Sequence, residues 1–409
     1  MDFVPVWQAR KHPGMKASST EDKARRFPAM EWLLIFVFAI LLWLPTVDYF
    51  IGVDRSKPAQ ENRPLAPRPR LTSPDLAGME HYLADTEAYF NDHFGYRKRL
   101  IRWFQQWKPR LYGSKSVDLV MAGQNSWLFF NAAQMIDNYL GTVKFTPEQL
   151  RAWQRLLEKR RDWLAAQGIK YLFVIAPDKQ TIYPENLPEW LVRATPANRE
   201  TKLDQLLQYL KQHSTVRVLD LRPALVAAKE IAPTYLQNDT HWNLFGGFIG
   251  SQETVKAMSQ QLPDLPPLSL EDFNWSNAPA TGGDLARMLG VEAPEKNYFG
   301  FTPKPGSLLP TSQVATNIIS LWDPGKPSVI LENPGPLKET AVIFHDSFGL
   351  AWREFLGHSF KRIIFMPDNR EFNARVILEN HPQIVVNEML ERYVNTLDPA
   401  ELMTREALP

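Results

Sequence analysis

The chain contains no cysteine. Disulfides, thiolate nucleophiles and cysteine–zinc sites are excluded with it, while the compartment stays open, because exported bacterial proteins often do without this residue. An excess of charge of either sign is also lacking: 46 Lys+Arg stand against 45 Asp+Glu, a net +1. That balance gives no electrostatic footprint for nucleic acid, and the nucleic-acid-binding class is set aside. No internal repeat is visible. What is present suits a folded chain: 409 residues, 44% hydrophobic and 22% charged, enough for a real core and for two or three structural units. Proline (33) and tryptophan (13) are both plentiful.

Residues 32–44 read WLLIFVFAILLWL without a charge. With their neighbours they make roughly 20 residues, about enough to span a hydrocarbon core of ~30 Å, and Trp32, Trp43 and Tyr49 stand where interfacial anchors would. Glu31, Pro45 and Asp48 interrupt the ends. The residues after the run make a poor cleavage site, so an uncleaved signal anchor is expected; the alternative is a buried core helix. Basic residues before the run (Arg10, Lys11, Lys16, Lys23, Arg25, Arg26) and after it (Arg55, Lys57, Arg63, Arg68, Arg70) differ little in number. The positive-inside rule leans toward a cytoplasmic N-terminus, with the bulk of the chain outside the cytoplasm.

Residues 54–70 carry Lys57-Pro58, Arg63-Pro64 and Ala66-Pro67-Arg68-Pro69, an extended stalk. Helical periodicity follows over 75–112, then a β-like stretch at 117–130. Thr146-Pro147-Glu148-Gln149 is a capping box with proline at the first helical position, and Gly168 closes that helix. A buried strand is expected at 169–176, a helix near 198–212, a strand at 216–221 and a helix from about Trp242. Three more strand–helix pairs follow, with strands at 341–344, 362–366 and 384–386. Alternating strands and helices predict a parallel or mostly parallel sheet with helices on both faces, whose ligands bind beyond the carboxyl ends of the strands. Twelve prolines crowd residues 263–336, which reads as an irregular or β-rich insertion able to cover a site.

Of eight histidines, two sit in chemically suggestive settings. His241 lies in Asn238-Asp239-Thr240-His241-Trp242-Asn243, and His345 in Phe344-His345-Asp346-Ser347-Phe348-Gly349. Ser347 follows an apolar strand and precedes a helix, so its hydroxyl would stand at the top of the sheet, with the N–H groups of Ser347 and Phe348 facing an oxyanion. The same turn could be a plain N-cap. Asp239 and His241 supply what a serine nucleophile needs, a base and a carboxylate that orients it; Asp239 could equally cap the helix beginning near Trp242. A metal set of Asp239, His241, His345 and Asp346 is a further alternative.

Several stretches together resemble the AlgJ/AlgX-type polysaccharide O-acetyltransferases, within the SGNH hydrolase-like group. They are Glu61-Asn62-Arg63, Phe90-Asn91-Asp92-His93-Phe94-Gly95-Tyr96-Arg97, Gly123-Gln124-Asn125-Ser126-Trp127-Leu128-Phe129, Ala176-Pro177-Asp178-Lys179 with Tyr183-Pro184-Glu185, Asp239-Thr240-His241-Trp242-Asn243, Gly283-Asp284-Leu285-Ala286 and Asp346-Ser347-Phe348. The resemblance implies an α/β fold: a three-layer, circularly permuted SGNH hydrolase-like domain with a mostly parallel sheet, preceded by one N-terminal transmembrane helix. It implies Asp239 as orienter, His241 as base and Ser347 as nucleophile, with no metal and no cofactor. One departure is His345, where the family usually has the glycine of Gly-Asp-Ser.

The expected organisation is a cytoplasmic tail (1–28), a signal anchor (29–53), a proline-rich stalk (54–74) and a catalytic domain (75–400) containing the 263–336 insertion. The expected activity is transfer of acetyl groups onto hydroxyls of an exported, alginate-like polysaccharide, at the outer face of the inner membrane. Acetyl-CoA is not available there, and the resemblance implies a membrane-bound O-acyltransferase partner as acetyl source. Asn243 or Asn387 would be side-chain donors to the oxyanion. Two rivals remain, a carbohydrate acetyl esterase with the same triad and a non-catalytic polysaccharide-assembly protein, for which His345 is the best hint.

Overall fold

A computed structural model describes residues 29–51, 66–71, 73, 75–93, 119–132, 134–291, 293–314, 327–367, 370 and 372–406. The chain divides into two units, Met1–Leu100 and Ile101–Pro409. In the first, helices run over Ala29–Ile51 and Leu76–His93. The side chains of residues 32–40 are all apolar and all exposed. Among the described residues no helix is long and apolar enough to cross a membrane, so the expected transmembrane helix is not among the elements seen. The tail 1–28, most of the stalk and the Phe94-Gly95-Tyr96-Arg97 end of the aromatic segment lie outside the described residues.

The second unit is built on seven strands. They are β3 (Lys170–Ala176), β4 (Val218–Asp220), β9 (Ser312–Val314), β10 (Val329–Glu332), β11 (Thr340–Phe344), β12 (Arg362–Met366) and β13 (Ile384–Leu390), after a separate hairpin of β1 (Val120–Ala122) and β2 (Leu128–Phe130). The sheet order is β4-β3-β13-β11-β12-β10-β9. The five strands from β4 to β12 are parallel, with Phe344 of β11 level with Asn387 of β13 and Leu390 of β13 level with Ala176 of β3. These strands are near-continuous apolar runs because helices cover both faces. Successive side chains alternate between the faces. Tyr171, Phe173 and Ile175 join one core with Trp153, Leu157 and Leu206, while Leu172, Val174 and Ala176 join the other with Phe245, Phe248 and Trp352. The result is three layers: helices Pro147–Ala166 and Lys202–His213 on one side, Leu244–Ser259 on the other.

The capping box of Thr146 and Gln149 forms as the sequence predicts, each side chain bonding the other residue's backbone N–H, and Gly168 leaves the helix with φ of 74°, a conformation that favours glycine. One expectation is corrected. The sheet is mixed: β12 pairs antiparallel with β10, and β10 antiparallel with β9. The edge strand β9 and its neighbour β10 lie inside the proline-rich stretch 263–336, which is therefore not wholly an insertion. Its described prolines fall between short elements or at their ends. Those elements are a ribbon of β5 (Phe273–Asn277) with β8 (Phe299–Pro303), a pair of β6 (Ala280–Thr281) with β7 (Pro294–Glu295), and a helix over Asp284–Met288. Residues 315–326 lie outside the described residues.

Candidate active site

The carboxyl ends of β3, β11 and β13 meet at one edge of the parallel sheet, where β11 gives way to the turn at His345, Asp346 and Ser347. Ser347 is exposed and begins a 3-10 helix over Phe348–Glu354. Its side chain makes no cap hydrogen bond, so the N-cap alternative does not describe it. Instead its Oγ lies 2.8 Å from His241 Nε2. His241 Nδ1 lies 2.6 Å from Asp239 Oδ1, which also accepts the His241 backbone N–H at 3.0 Å. The structure thus brings together all three residues singled out from the sequence, although 106 positions separate His241 from Ser347. The helix after His241 is capped by Asn243, whose side chain accepts from Gly246 N at 2.9 Å, leaving Asp239 for the histidine.

Trp242 locks the two halves of the site. Its Nε1 donates to Phe348 O at 3.0 Å, and its ring packs edge-on to Phe348 at 5.1 Å. The Leu244–Ser259 helix approaches the serine-bearing 3-10 helix closely: a Cβ on Gly247 would stand 2.5 Å from Ala351 Cβ.

The loop 237–240 is held by carboxylates from farther along the chain. Glu295 of β7 accepts Gln237 N–H at 2.9 Å and Asn238 N–H at 2.8 Å. Asp284 accepts Thr240 N–H at 2.7 Å and Thr240 Oγ1–H at 2.6 Å, and its own N–H donates to Asp239 Oδ2 at 2.8 Å. Gly283 makes this approach possible, since its φ is 115° and a Cβ there would stand 2.1 Å from Asn238 O. Asp284 belongs to a quoted sequence stretch but had no role from sequence, and Glu295 was not singled out at all. Nothing in a lone glutamate of a two-residue strand marks it; only the tertiary fold brings it to the loop.

Electrostatics follow from this geometry. Burial works to raise the Asp239 pKa, but the hydrogen bonds and charge of His241 outweigh it and hold the carboxyl well below its ordinary range. For Asp284, burial and then the Asp239 charge prevail and raise the pKa.

Other expected roles change. Asn387 is fully buried, and its Oδ1 accepts Arg160 Nη1–H at 2.7 Å inside the sheet's covering layer. Asn243 Nδ2 is engaged by Pro233 O and Asn297 O at 2.7 and 2.8 Å. Neither is therefore placed as an oxyanion donor. Phe348 N–H, also expected to face the oxyanion, donates to Asp346 Oδ1 at 2.9 Å, and Leu390 N–H donates to Oδ2 at 2.8 Å. Asp346 thus builds the turn, and Ser347 N–H remains the candidate donor. His345 is fully buried, edge-on to Phe365 at 5.9 Å, and a Cβ on Gly349 would meet it at 2.4 Å. Its ring turns into the interior, and the metal set that included it is not assembled. A different trio, Asp239, His241 and Asp284, does offer ligand-type atoms within 4.8 Å of one another. Every carboxylate oxygen in that trio already accepts a hydrogen bond from the protein, an arrangement that orients a histidine rather than awaits an ion.

Residues 120–322 match the family model described as SGNH hydrolase-like domain, acetyltransferase AlgX. The chain is related to the AlgJ/AlgX-type acetyltransferases. Asp239, His241, Asp284 and Glu295 fall within the matched residues and Ser347 beyond them. Among curated proteins, "Probable alginate O-acetylase AlgJ" of Pseudomonas syringae pv. tomato is 25% identical over 223 residues, 54% of this chain and 53% of the relative. The protein of the same name from Azotobacter vinelandii is 25% identical over 160 residues, 39% and 38% of the two chains. The matches span about half or less of these relatives. Among solved structures, Bacillus cereus PatB1 is similar with a TM-score of 0.50 at 19% identity, covering 69% of this chain and 99% of that one. A DHHW family protein from Eubacterium siraeum has the same TM-score at 14% identity, covering 71% and 99%. These two likenesses concern the fold alone.

Proposed function

We propose that this AlgJ/AlgX-type protein transfers acetyl groups, through an ester on Ser347, to hydroxyl groups of an exported polysaccharide of the alginate type. The observation that carries the reading is the continuous chain from Asp239 Oδ1 through His241 to Ser347 Oγ, at 2.6 and 2.8 Å. In the first half-reaction His241 Nε2 takes the Oγ proton as Oγ attacks the acetyl carbonyl. The tetrahedral oxyanion is stabilised by Ser347 N–H. His241 then returns the proton to the departing donor group, leaving acetyl-Ser347. In the second half-reaction His241 takes the proton of a sugar hydroxyl, whose oxygen attacks the acetyl carbonyl; collapse expels Ser347 Oγ, which recovers the proton. Asp239, held ionised, keeps the imidazole in the required tautomer and balances its transient charge.

The polymer comes from the curated relatives, whose names specify alginate. The Ala29–Ile51 helix would hold the protein at the inner membrane, with the catalytic unit outside the cytoplasm. The uncharged run 32–44 and the exposed apolar side chains of residues 32–40 support this. A membrane-bound O-acyltransferase would be the acetyl source, because acetyl-CoA is confined to the cytoplasm. The test is to incubate the full chain in detergent with an activated acetyl ester and unacetylated alginate oligosaccharides, then measure their masses. Acetylated oligosaccharides, absent with Ser347→Ala, support transfer. Loss of acetyl from pre-acetylated polymer with none gained by unacetylated polymer would make the protein an esterase.

A further inference from the structure

Lys179 begins the short helix that follows β3 and is buried. The proposed reaction gives it no part, yet it sits beneath the loop that carries Asp239 and His241. Its Nζ donates to three backbone carbonyls: Leu128 O of β2 at 2.6 Å, Gln237 O at 2.9 Å and Asp239 O at 2.9 Å. The rings of Trp127 and Phe129 flank the ammonium at 5.0 and 5.3 Å.

We propose that Lys179 is a positioning residue whose ammonium pins the Asp239 loop to the β1–β2 hairpin, so that Asp239 and His241 are aimed at Ser347 only while Lys179 is charged. The inference rests on the serine reaction proposed above. Its chemical basis is a count of donors. An ammonium has three N–H groups and three carbonyls face it. A neutral amine has two N–H groups and a lone pair, so one carbonyl must lose its donor and face that lone pair. Two of the three carbonyls belong to the loop, one of them to Asp239 itself. On the same loop the N–H groups of Gln237, Asn238 and Thr240 are taken by Glu295 and Asp284. Lysine holds the loop by its carbonyls and the carboxylates hold it by its amides, so release on one side leaves it pulled from the other.

The charged groups acting on Lys179 are Glu295, Asp239 and Asp284, which favour the ammonium; the flanking rings from the hairpin do not titrate. Burial is the larger effect and lowers the Lys179 pKa to about 7. The charged form is therefore lost within an ordinary buffer range.

The experiment follows the rate at which a serine-directed fluorophosphonate labels Ser347 in the full chain in detergent, as a function of pH. The wild-type rate should fall along an alkaline limb with its midpoint near 7. Lys179→Met should label on the order of 10²-fold more slowly, the usual consequence of a small misplacement, and lack the limb. Lys179→Arg keeps its charge to far higher pH and should retain most of the rate while losing the limb. A wild-type rate in Lys179→Met, or a limb unchanged in both variants, overturns the proposal. Should neither variant fold, NMR of the wild type with 13C at lysine Cε decides: one lysine must titrate with the midpoint of the limb, and no lysine titrating below about pH 9 overturns the pin. A wild type that is never labelled at Ser347 refutes the serine reaction instead. The pin is then judged in Ser347→Ala, where His241 ring signals with an inflection at the lysine midpoint support it and signals without one overturn it.

Discussion

Glu295 offers the sharpest test of how the loop is held. Its carboxylate accepts three backbone N–H groups, from Gln237 at 2.9 Å, Asn238 at 2.8 Å and Asn297 at 2.9 Å, and the residue is buried. Glu295→Ala leaves all three donors without their acceptor in a place water reaches poorly. Each such loss costs about 1–3 kcal/mol, so even the low end sums to about 3 kcal/mol. Set against typical stabilities of roughly 5–15 kcal/mol, that is a large fraction. Glu295→Gln is gentler. An amide oxygen at the Oε1 position still accepts from Gln237 and Asn297, and only the Asn238 N–H meets an amino group, for a loss nearer about 1 kcal/mol. Thermal unfolding should show the same order. At about 2–4 °C per kcal/mol for a domain of somewhat smaller size, the alanine variant should melt at least about 6 °C lower and the glutamine variant a few degrees lower. Labelling of Ser347 should slow in the same order, because the loop bears the base. An alanine variant that melts within about 1 °C of wild type would refute the reasoning.

Gly283→Ala should be more harmful than its single methyl suggests, since the φ of 115° is unfavourable and the new Cβ would strike Asn238 O; a loss of about 1–3 kcal/mol in urea unfolding is expected, with slower Ser347 labelling. Asp239 gives a pH signature of definite sign. Its folded pKa lies below its unfolded value, so its contribution to stability is complete above about pH 4 and disappears as pH falls through the folded pKa. The difference in stability between wild type and Asp239→Asn should therefore hold steady from neutrality to about pH 4 and shrink below it; a difference that stays constant below about pH 4 would contradict the ionised, histidine-bound carboxylate.

Much of the central layer was legible because its signals are local. The strand β3 announces itself as an apolar run ending at Pro177, and the Thr146 box needs only four residues. Asp239, His241 and Ser347 could be read because each stands in a short, chemically loaded segment at a strand or helix boundary. What escaped depends on contacts distant in sequence. The strands β9 and β10 are short, lie among prolines and pair antiparallel, so nothing in their spacing separates them from the surrounding loops. The engagement of Phe348 N–H by Asp346 was hidden because a turn's sequence does not say which way its carboxylate folds. Asn387 reads like Asn243, yet the pleat of β13 turns it toward Arg160. Glu295 and Lys179 are unremarkable as letters and matter only because the insertion and the β1–β2 hairpin converge on one loop.

The central claim is that Ser347 carries the acetyl group. Mixing the full chain with an activated acetyl ester, quenching in acid within the first turnovers and measuring the mass of the peptide bearing Ser347 tests it directly. The account predicts an acetyl adduct on Ser347 that forms in the wild type, diminishes when acceptor oligosaccharide is added, and is lost or slowed about 10³-fold or more in His241→Ala. An unmodified Ser347 peptide during active turnover, or full turnover by Ser347→Ala, would contradict it.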